Sequence, residues 1–249
     1  MYNMIYFVSD IHLGFYKRDQ DKIIENSFLN FLDTIEKDCT TLILLGDIFD
    51  YWFEYKFTIP KYYYRTLAKL EHFVSKNINV IYIMGNHDFG HKTFFLEELG
   101  IKISKKDLNI ELMEKKFFLT HGDDKLPKDY GYKILKKVLN NKTCQFLFST
   151  IHPTLAIGIA KFCSKSSRKY RTDTTNVTDN KDDKLISFAE KIINQNYDFI
   201  VIGHTHKALH IDIQRADKSF GTYINLGSWL NAPHYAKFDG KKIELNAVK

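Results

Sequence analysis

Apolar residues fall into two rhythms along this chain. Short β-prone runs end abruptly in polar residues, and between them apolar positions recur every three or four residues. Met4-Ile5-Tyr6-Phe7-Val8 is such a run, stopping at Ser9-Asp10, and predicts a buried strand. Ile23, Ile24, Phe28, Phe31, Leu32 and Ile35 follow at helical spacing and predict a helix over about 19–37. A second strand over 41–45 runs into Gly46-Asp47. A second helix over about 61–76 leads to a third strand, 79–84, which runs into Gly85-Asn86-His87-Asp88. Two later runs, 117–120 and 199–202, end at His121-Gly122-Asp123 and Gly203-His204-Thr205-His206. The stretch 208–245 alternates apolar and polar residues and predicts further strands. The βαβαβ order predicts an α/β fold, a layered sheet covered by helices.

Between the fourth and fifth of these runs the pattern changes. Strand signals vanish after Asp123, and Tyr132, Leu135, Val138, Leu139, Phe146, Leu147, Ile151, Leu155, Ile159 and Phe162 recur at helical spacing. Basic residues cluster in 125–142 and 165–171, and the polar run 172–183 reads as a surface loop. The expected organisation is a core formed by 1–123 and 184–249, interrupted by a helical insertion over 124–183. An ordinary helical hairpin packed on the core is the competing reading of the insertion.

Composition narrows the class only slightly. With 249 residues, 44% hydrophobic and 27% charged, the chain has the make-up of a globular domain and needs no disulfide staples. Its three cysteines are scattered without metal-ligand spacing and suit a reducing cytoplasm. The N-terminus meets Asp10 too early for a secretory signal, and no apolar run approaches membrane-spanning length. A net charge of +6 favours an anionic partner without choosing one.

The chemistry lies at the strand ends. In open α/β sheets, sites form beyond the carboxyl ends of strands. Five such ends here carry Asp10 and His12, Asp47, Asn86 and His87, His121, and His204 and His206. Alternate residues of an extended segment share a face, so Asp10 and His12 project together, as do His204 and His206. Carboxylate, imidazole and amide oxygen suit Mn²⁺, Fe²⁺ or Zn²⁺ rather than a thiolate-seeking ion. One His at one strand end would be an ordinary structural residue; five ends in order predict a metal site.

Asp10-x-His12, Gly46-Asp47-x-x-Asp50, Gly85-Asn86-His87-Asp88, His121-Gly122-Asp123 and Gly203-His204-Thr205-His206 resemble the five motifs of the calcineurin-like metallophosphoesterases. That resemblance implies a two-sheet β sandwich flanked by helices, with two metals at the strand ends. It implies one metal held by Asp10, His12, Asp47 and His206 and another held by Asp47, Asn86, His121 and His204, with Asp47 bridging. Two cations about 3.5–4 Å apart lower the pKa of a shared water and clamp a phosphoryl oxygen, and the resulting hydroxide attacks phosphorus in line. A shared carboxylate partly neutralises the repulsion between them.

A finer resemblance, to the UDP-2,3-diacylglucosamine pyrophosphatases of the lipid A pathway, rests on three stretches. They are Gly46-Asp47-Ile48-Phe49-Asp50-Tyr51-Trp52-Phe53, Asp129-x-Gly131-Tyr132, and Asn225-Leu226-Gly227-Ser228-Trp229. That family carries a helical cap between its HGD and GHTH motifs, where this chain has its insertion. The resemblance implies hydrolysis of UDP-2,3-diacylglucosamine to UMP and 2,3-diacylglucosamine 1-phosphate, two divalent ions (Mn²⁺ expected), and an enzyme lying on the inner face of the cytoplasmic membrane. It implies substrate contacts by Asn86, Asp129, Ser164, Arg171 and His204. Arg168 stands where the better-known branch has Asn, and His87 stands where that branch has Arg. The wider family carries His there and uses it on the phosphoryl or leaving group, so His87 is expected to be catalytic and to touch substrate. Either His87 or Arg168 then replaces the missing arginine.

Two other readings stay open at this level. One is a soluble phosphoesterase of the same superfamily acting on nucleotides or phosphoproteins. The other is a binding scaffold that has lost catalysis, against which stands a complete ligand set. A specific nucleic-acid partner is not expected, because the insertion lacks an aromatic-and-basic strand track.

Overall fold

The computed structural model describes residues 3–125, 137–139, 141–159 and 178–248. Strand β1 is Met4–Val8, β2 Cys39–Leu44 and β3 Asn79–Ile83, with helix α1 (Arg18–Ile35) and helix α2 (Tyr64–Ser75) between them. These lie within a few residues of the sequence expectation. Two strands lie outside the sequence expectation: β4 (Lys102–Ser104), and β5 (Leu108–Leu112), in which Leu108, Ile110 and Leu112 nonetheless alternate with polar residues. β4 is three residues long, and neither strand has a fully buried side chain within it. Then come β6 (Lys115–Thr120), β7 (Phe199–Ile202), β8 (Ala208–Gln214), β9 (Phe220–Leu226), β10 (His234–Phe238) and β11 (Ile243–Ala247).

The strands form two sheets, ordered β11-β10-β1-β2-β3-β4 and β5-β6-β7-β9-β8. Period-2 alternation explains how they stack. In β1, Ile5 and Phe7 point one way and join Ile43, Leu45, Phe117, Val201, Ile224 and Phe238 in a core between the sheets. Tyr6 and Val8 point the other way, with Leu42 and Leu44, into a core under α1 and α2 that includes Phe28, Leu32, Leu70 and Phe73. A third core lies between the second sheet and the helix Thr178–Ile193, through Leu185, Ala189, Ile193, Ile200 and Tyr223. The architecture is therefore the expected sandwich, helices outside two facing sheets.

Register places the site. Val8, Leu44 and Tyr82 lie side by side across three parallel strands of the first sheet. Thr120, Ile202 and Asn225 do the same across β6, β7 and β9 of the second. The polar residues following these strands leave at one end of the sandwich. There a backbone N–H of one sheet's loop reaches a side chain of the other: His204 N–H donates to Asp10 Oδ2 at 2.9 Å.

In the insertion, residues 142–149 and 153–159 are helical, as the periodicity predicts. Asn141 caps the first of these, its side-chain oxygen accepting from the Thr143 and Cys144 amides. The polar run ending at Asp183 departs from expectation. Residues 178–183 are the opening turns of the helix that ends at Ile193, not loop. The apolar stripe that reveals this helix begins only at Leu185, so its polar start carried no periodic signal. Among the described residues no helix is long and apolar enough to cross a membrane.

Candidate metal centre

Six strand ends build the site, and the backbone there is unusual. Asp10, His12, Asp47, His204 and His206 all have positive φ, between 52° and 70°. L-residues other than Gly and Asn visit this region at a cost of order 1 kcal/mol or more each, and such strain gathers at functional sites. Sharp left-handed turns right after the strands aim these side chains at one another. The loops also press together: a Cβ on Gly85 would run into Asp47, and one on Gly46 into Gly85 and the His121 ring. That explains the glycine before each ligand-bearing residue in these two motifs.

Two donor groups result. In the first, His12 Nε2 and His206 Nε2 are 3.1 Å apart, His206 Nε2 is 3.2 Å from Asp10 Oδ1, and His12 Nε2 is 3.6 Å from that oxygen. In the second, His121 Nε2 is 3.2 Å from Asn86 Oδ1 and 3.3 Å from Asp47 Oδ2, and the His204 ring lies 5.2 Å from that of His121. Asp47 belongs to both, since its Oδ2 also lies 3.9 Å from His12 Nε2. His87 forms a third combination with His12 and Asp47.

The four contacts of 3.1–3.3 Å fit shared cations, and the two His12 contacts at 3.6 and 3.9 Å are longer than that geometry. Donors about 2.1 Å from a common ion, at angles between octahedral and tetrahedral, lie about 3.0–3.4 Å from one another. Asp10 Oδ1 is buried without a hydrogen-bond partner although its neighbours are close. A buried carboxylate oxygen aimed into a cluster of imidazoles suits a ligand better than an orphan. The outer partners agree. His121 Nδ1 donates to the Leu45 carbonyl at 2.8 Å, which turns Nε2 inward. His12 Nδ1 faces the Asp50 carboxylate at 3.5 Å, which turns its Nε2 inward too.

The electrostatics show a strong demand for positive charge. Burial opposes ionisation of Asp10, but the adjacent His12, His206 and His121 rings outweigh it and hold its carboxyl far below the ordinary range. Burial likewise opposes the charge on Asp47, and His121, His87 and His12 outweigh it. Burial pulls the His12 pKa down, yet Asp10, Asp50 and Asp47 push it up to about 9. His121 follows the same logic, raised against burial chiefly by Asp47. Protons on these imidazoles sit where metal charge would, and ligation would expel them.

All seven residues expected to bind metal are brought together. His87 stands beside them, its backbone N–H donating to Asp47 Oδ1 at 2.8 Å and its Nδ1 3.4 Å from Asp50 Oδ1. Asp129, Ser164, Arg168 and Arg171, the expected substrate contacts, lie outside the described residues, as does Leu135 of the insertion.

Several supporting residues were not singled out from sequence. Asp50, quoted only as part of a motif, orients both His12 and His87. Asp88 is fully buried and accepts from Ile48 N–H, Gly85 N–H and the Tyr82 hydroxyl, tying the second and third loops together. Beyond β9, Ser228 Oγ and the Trp229 N–H both donate to the Asp10 carbonyl. Asn225 donates to Thr205 Oγ1 at 2.8 Å and to the Gly203 carbonyl. The Asn225–Trp229 motif is thus a sixth strand end bracing the first and fifth. Its position after a strand was the available signal.

Comparison with known proteins agrees with this geometry. A UDP-2,3-diacylglucosamine hydrolase from Porphyromonas gingivalis is 28% identical, covering 100% of this chain and 99% of its own length. Proteins of the same name from Photorhabdus laumondii and Proteus mirabilis are 27% and 28% identical, each alignment covering 96% of both chains. The family model described as calcineurin-like phosphoesterase matches residues 4–208. With its sandwich, its strand-end donor groups and that match, the chain belongs to the calcineurin-like phosphoesterase family.

Proposed function

We propose that this protein hydrolyses the diphosphate linkage of UDP-2,3-diacylglucosamine, giving UMP and 2,3-diacylglucosamine 1-phosphate for lipid A synthesis. The observation that carries the chemistry is Asp47 Oδ2, which faces His121 and His12 from between two donor groups. The substrate reading is supported by relatives that bear that activity in their names along the whole chain.

Asp10, His12, Asp47 and His206 would hold one divalent ion, and Asp47, Asn86, His121 and His204 a second. The carboxylate, imidazole and amide donor set suits Mn²⁺. Such a pair, when bound, supplies Lewis acidity toward a phosphoryl oxygen and a water acidified for attack. The chain's own groups do the rest. Asp50 fixes the His12 and His87 rings, and His87, half-buried at the rim, donates to a phosphoryl or leaving-group oxygen as charge builds there. Asn86, Asp129, Ser164, Arg168, Arg171 and His204 complete the substrate contacts in this reading.

Residues 124–183 act as a cap for the acyl chains. Phe146, Leu147, Leu155 and Ile159 are exposed there, a density of bare apolar side chains that a helical brace alone does not need. The exposed apolar residues of the insertion, with lysines near them in the sequence, rest on the inner surface of the cytoplasmic membrane, lying in the interface rather than spanning it. Purified protein with Mn²⁺ is offered UDP-2,3-diacylglucosamine and a small activated phosphate ester side by side. Charges placed at Leu139 and Phe146 together are expected to remove most of kcat/KM for the lipid substrate, with far less effect on the ester. Equal loss on both, or ester hydrolysis with no turnover of the lipid, refutes the reading.

A further inference from the structure

A cavity of about 610 Å³ lies between core and insertion. Gly14, two residues past His12, forms part of its floor, next to Tyr51, the neighbour of Asp50. Tyr55, Tyr62 and Tyr63 add further walls, and Thr154 and Ile157 close it from the helical segment 153–159. Gly14 itself is fixed by the core: its N–H donates to the buried Asp21 carboxylate of α1, and its positive φ and the Tyr63 hydroxyl against it leave no room for a side chain.

We propose that this cavity is the nucleoside subsite, receiving the ribose and pyrimidine of the substrate while the diphosphate lies at the metal cluster. The proposal rests on the function argued above and gives one half of that substrate a place. Ile59, Pro60, Pro153 and Ile157 make part of the lining apolar, and its phenols, Thr58 and cations favour a nucleoside over an acyl chain. Volumes of this size suit a nucleoside, and flat phenol rings offer stacking faces for a base. The Tyr51 and Tyr55 hydroxyls approach within 3.5 Å of each other, and with Thr58 they offer donors and acceptors of the kind a pyrimidine's carbonyl and imide edge requires. At one side, Arg18, paired with Asp21 and Glu25, lies 5.2 Å over the Tyr62 ring, and Lys61 lies 5.5 Å from it. A hydrocarbon chain here would strip water from these hydroxyls and cations and return no hydrogen bond. The bare apolar residues of the insertion suit it better.

Calorimetric binding of uridine, UMP and 2,3-diacylglucosamine 1-phosphate to the full chain tests this, using Ile157→Trp to fill the cavity and Tyr55→Phe to delete one hydroxyl. Ile157→Trp is expected to weaken uridine and UMP at least tenfold while 2,3-diacylglucosamine 1-phosphate stays within twofold. Tyr55→Phe is expected to weaken uridine about threefold to tenfold with unchanged folding by circular dichroism. Loss of the lipid product's affinity with uridine unaffected makes the cavity an acyl site and overturns the proposal. Unaltered binding of uridine and UMP in both variants overturns it as well. If the parent fails to turn over UDP-2,3-diacylglucosamine yet uridine binds and both variants weaken it, the proposed function falls and the nucleoside subsite stands.

Discussion

Replacing Asp88 by alanine deletes one carboxylate and strands three donors. Asp88 is fully buried, and its oxygens accept from Gly85 N–H at 2.7 Å, from Ile48 N–H at 3.0 Å and from the Tyr82 hydroxyl. The two amides are fixed by the backbone and cannot turn away, so each loses about 1–3 kcal/mol when left dry and unpaired. The Tyr82 hydroxyl can rotate and adds less. The expected loss is about 4 kcal/mol, a large share of the roughly 5–15 kcal/mol that holds a domain folded. With m of about 2–3 kcal/mol/M the urea midpoint falls by about 1.3–2 M. Asp88→Asn, which keeps one acceptor oxygen, is expected to lose about half as much. Tyr82→Phe leaves both amides satisfied and is expected to lose about 1 kcal/mol. Ile48 and Gly85 flank Asp47 and Asn86, so metal affinity should fall as well, by about 10–100-fold as for other residues behind a ligand. Urea unfolding followed by circular dichroism reads the first effect and calorimetric Mn²⁺ titration the second. An Asp88→Ala protein within about 1 kcal/mol of the parent, with parental metal affinity, refutes the idea that this carboxylate clasps the two loops together.

Asp47→Ala should abolish turnover and reduce bound metal to one ion or none, measured by elemental analysis; parental metal content would show that Asp47 bridges nothing. His87→Ala should lower kcat by about 10²–10³ with metal content unchanged, the usual loss for one preorganised donor; loss of metal instead would move His87 into the ligand set. Glu54 tests the pH dependence. Burial opposes its charge, but His91, the Lys92 and Phe94 amides and the Trp52 indole lower its pKa from 4.5 to about 2. A depressed carboxylate contributes stability that is fully present above its unfolded pKa and lost as pH falls through the folded one. The parent should therefore exceed Glu54→Gln by about 3 kcal/mol near neutral pH, with the gap closing between about pH 5 and pH 2 in urea unfolding. A gap independent of pH would refute it.

What the sequence disclosed was whatever leaves a periodic or punctuated trace. Val8-Ser9-Asp10 and Ile83-Met84-Gly85-Asn86 announce a strand and then a polar end, so the candidate donors at the strand ends are legible in the sequence. β4 left no such trace, because three residues at an edge need no apolar run, whereas the alternation of Leu108, Ile110 and Leu112 in β5 was present and short. Asp88 was visible as a letter in Gly85-Asn86-His87-Asp88 but its task was not, since it acts across 40 residues of sequence on Ile48. The tyrosine cavity is the same case on a larger scale. Gly14, Tyr55 and Ile157 lie far apart along the chain and become neighbours only when the insertion folds over the core.

The left-handed backbone at Asp10, His12, Asp47, His204 and His206 has an evolutionary consequence. Each of these residues holds a conformation that glycine or asparagine adopts with less strain, so replacing one relaxes the fold as it removes a candidate metal donor. Selection for heat resistance alone would run toward those substitutions, and the sturdiest descendants of this chain would be inert. Its hydrolytic machinery persists only under continuous selection for what it does.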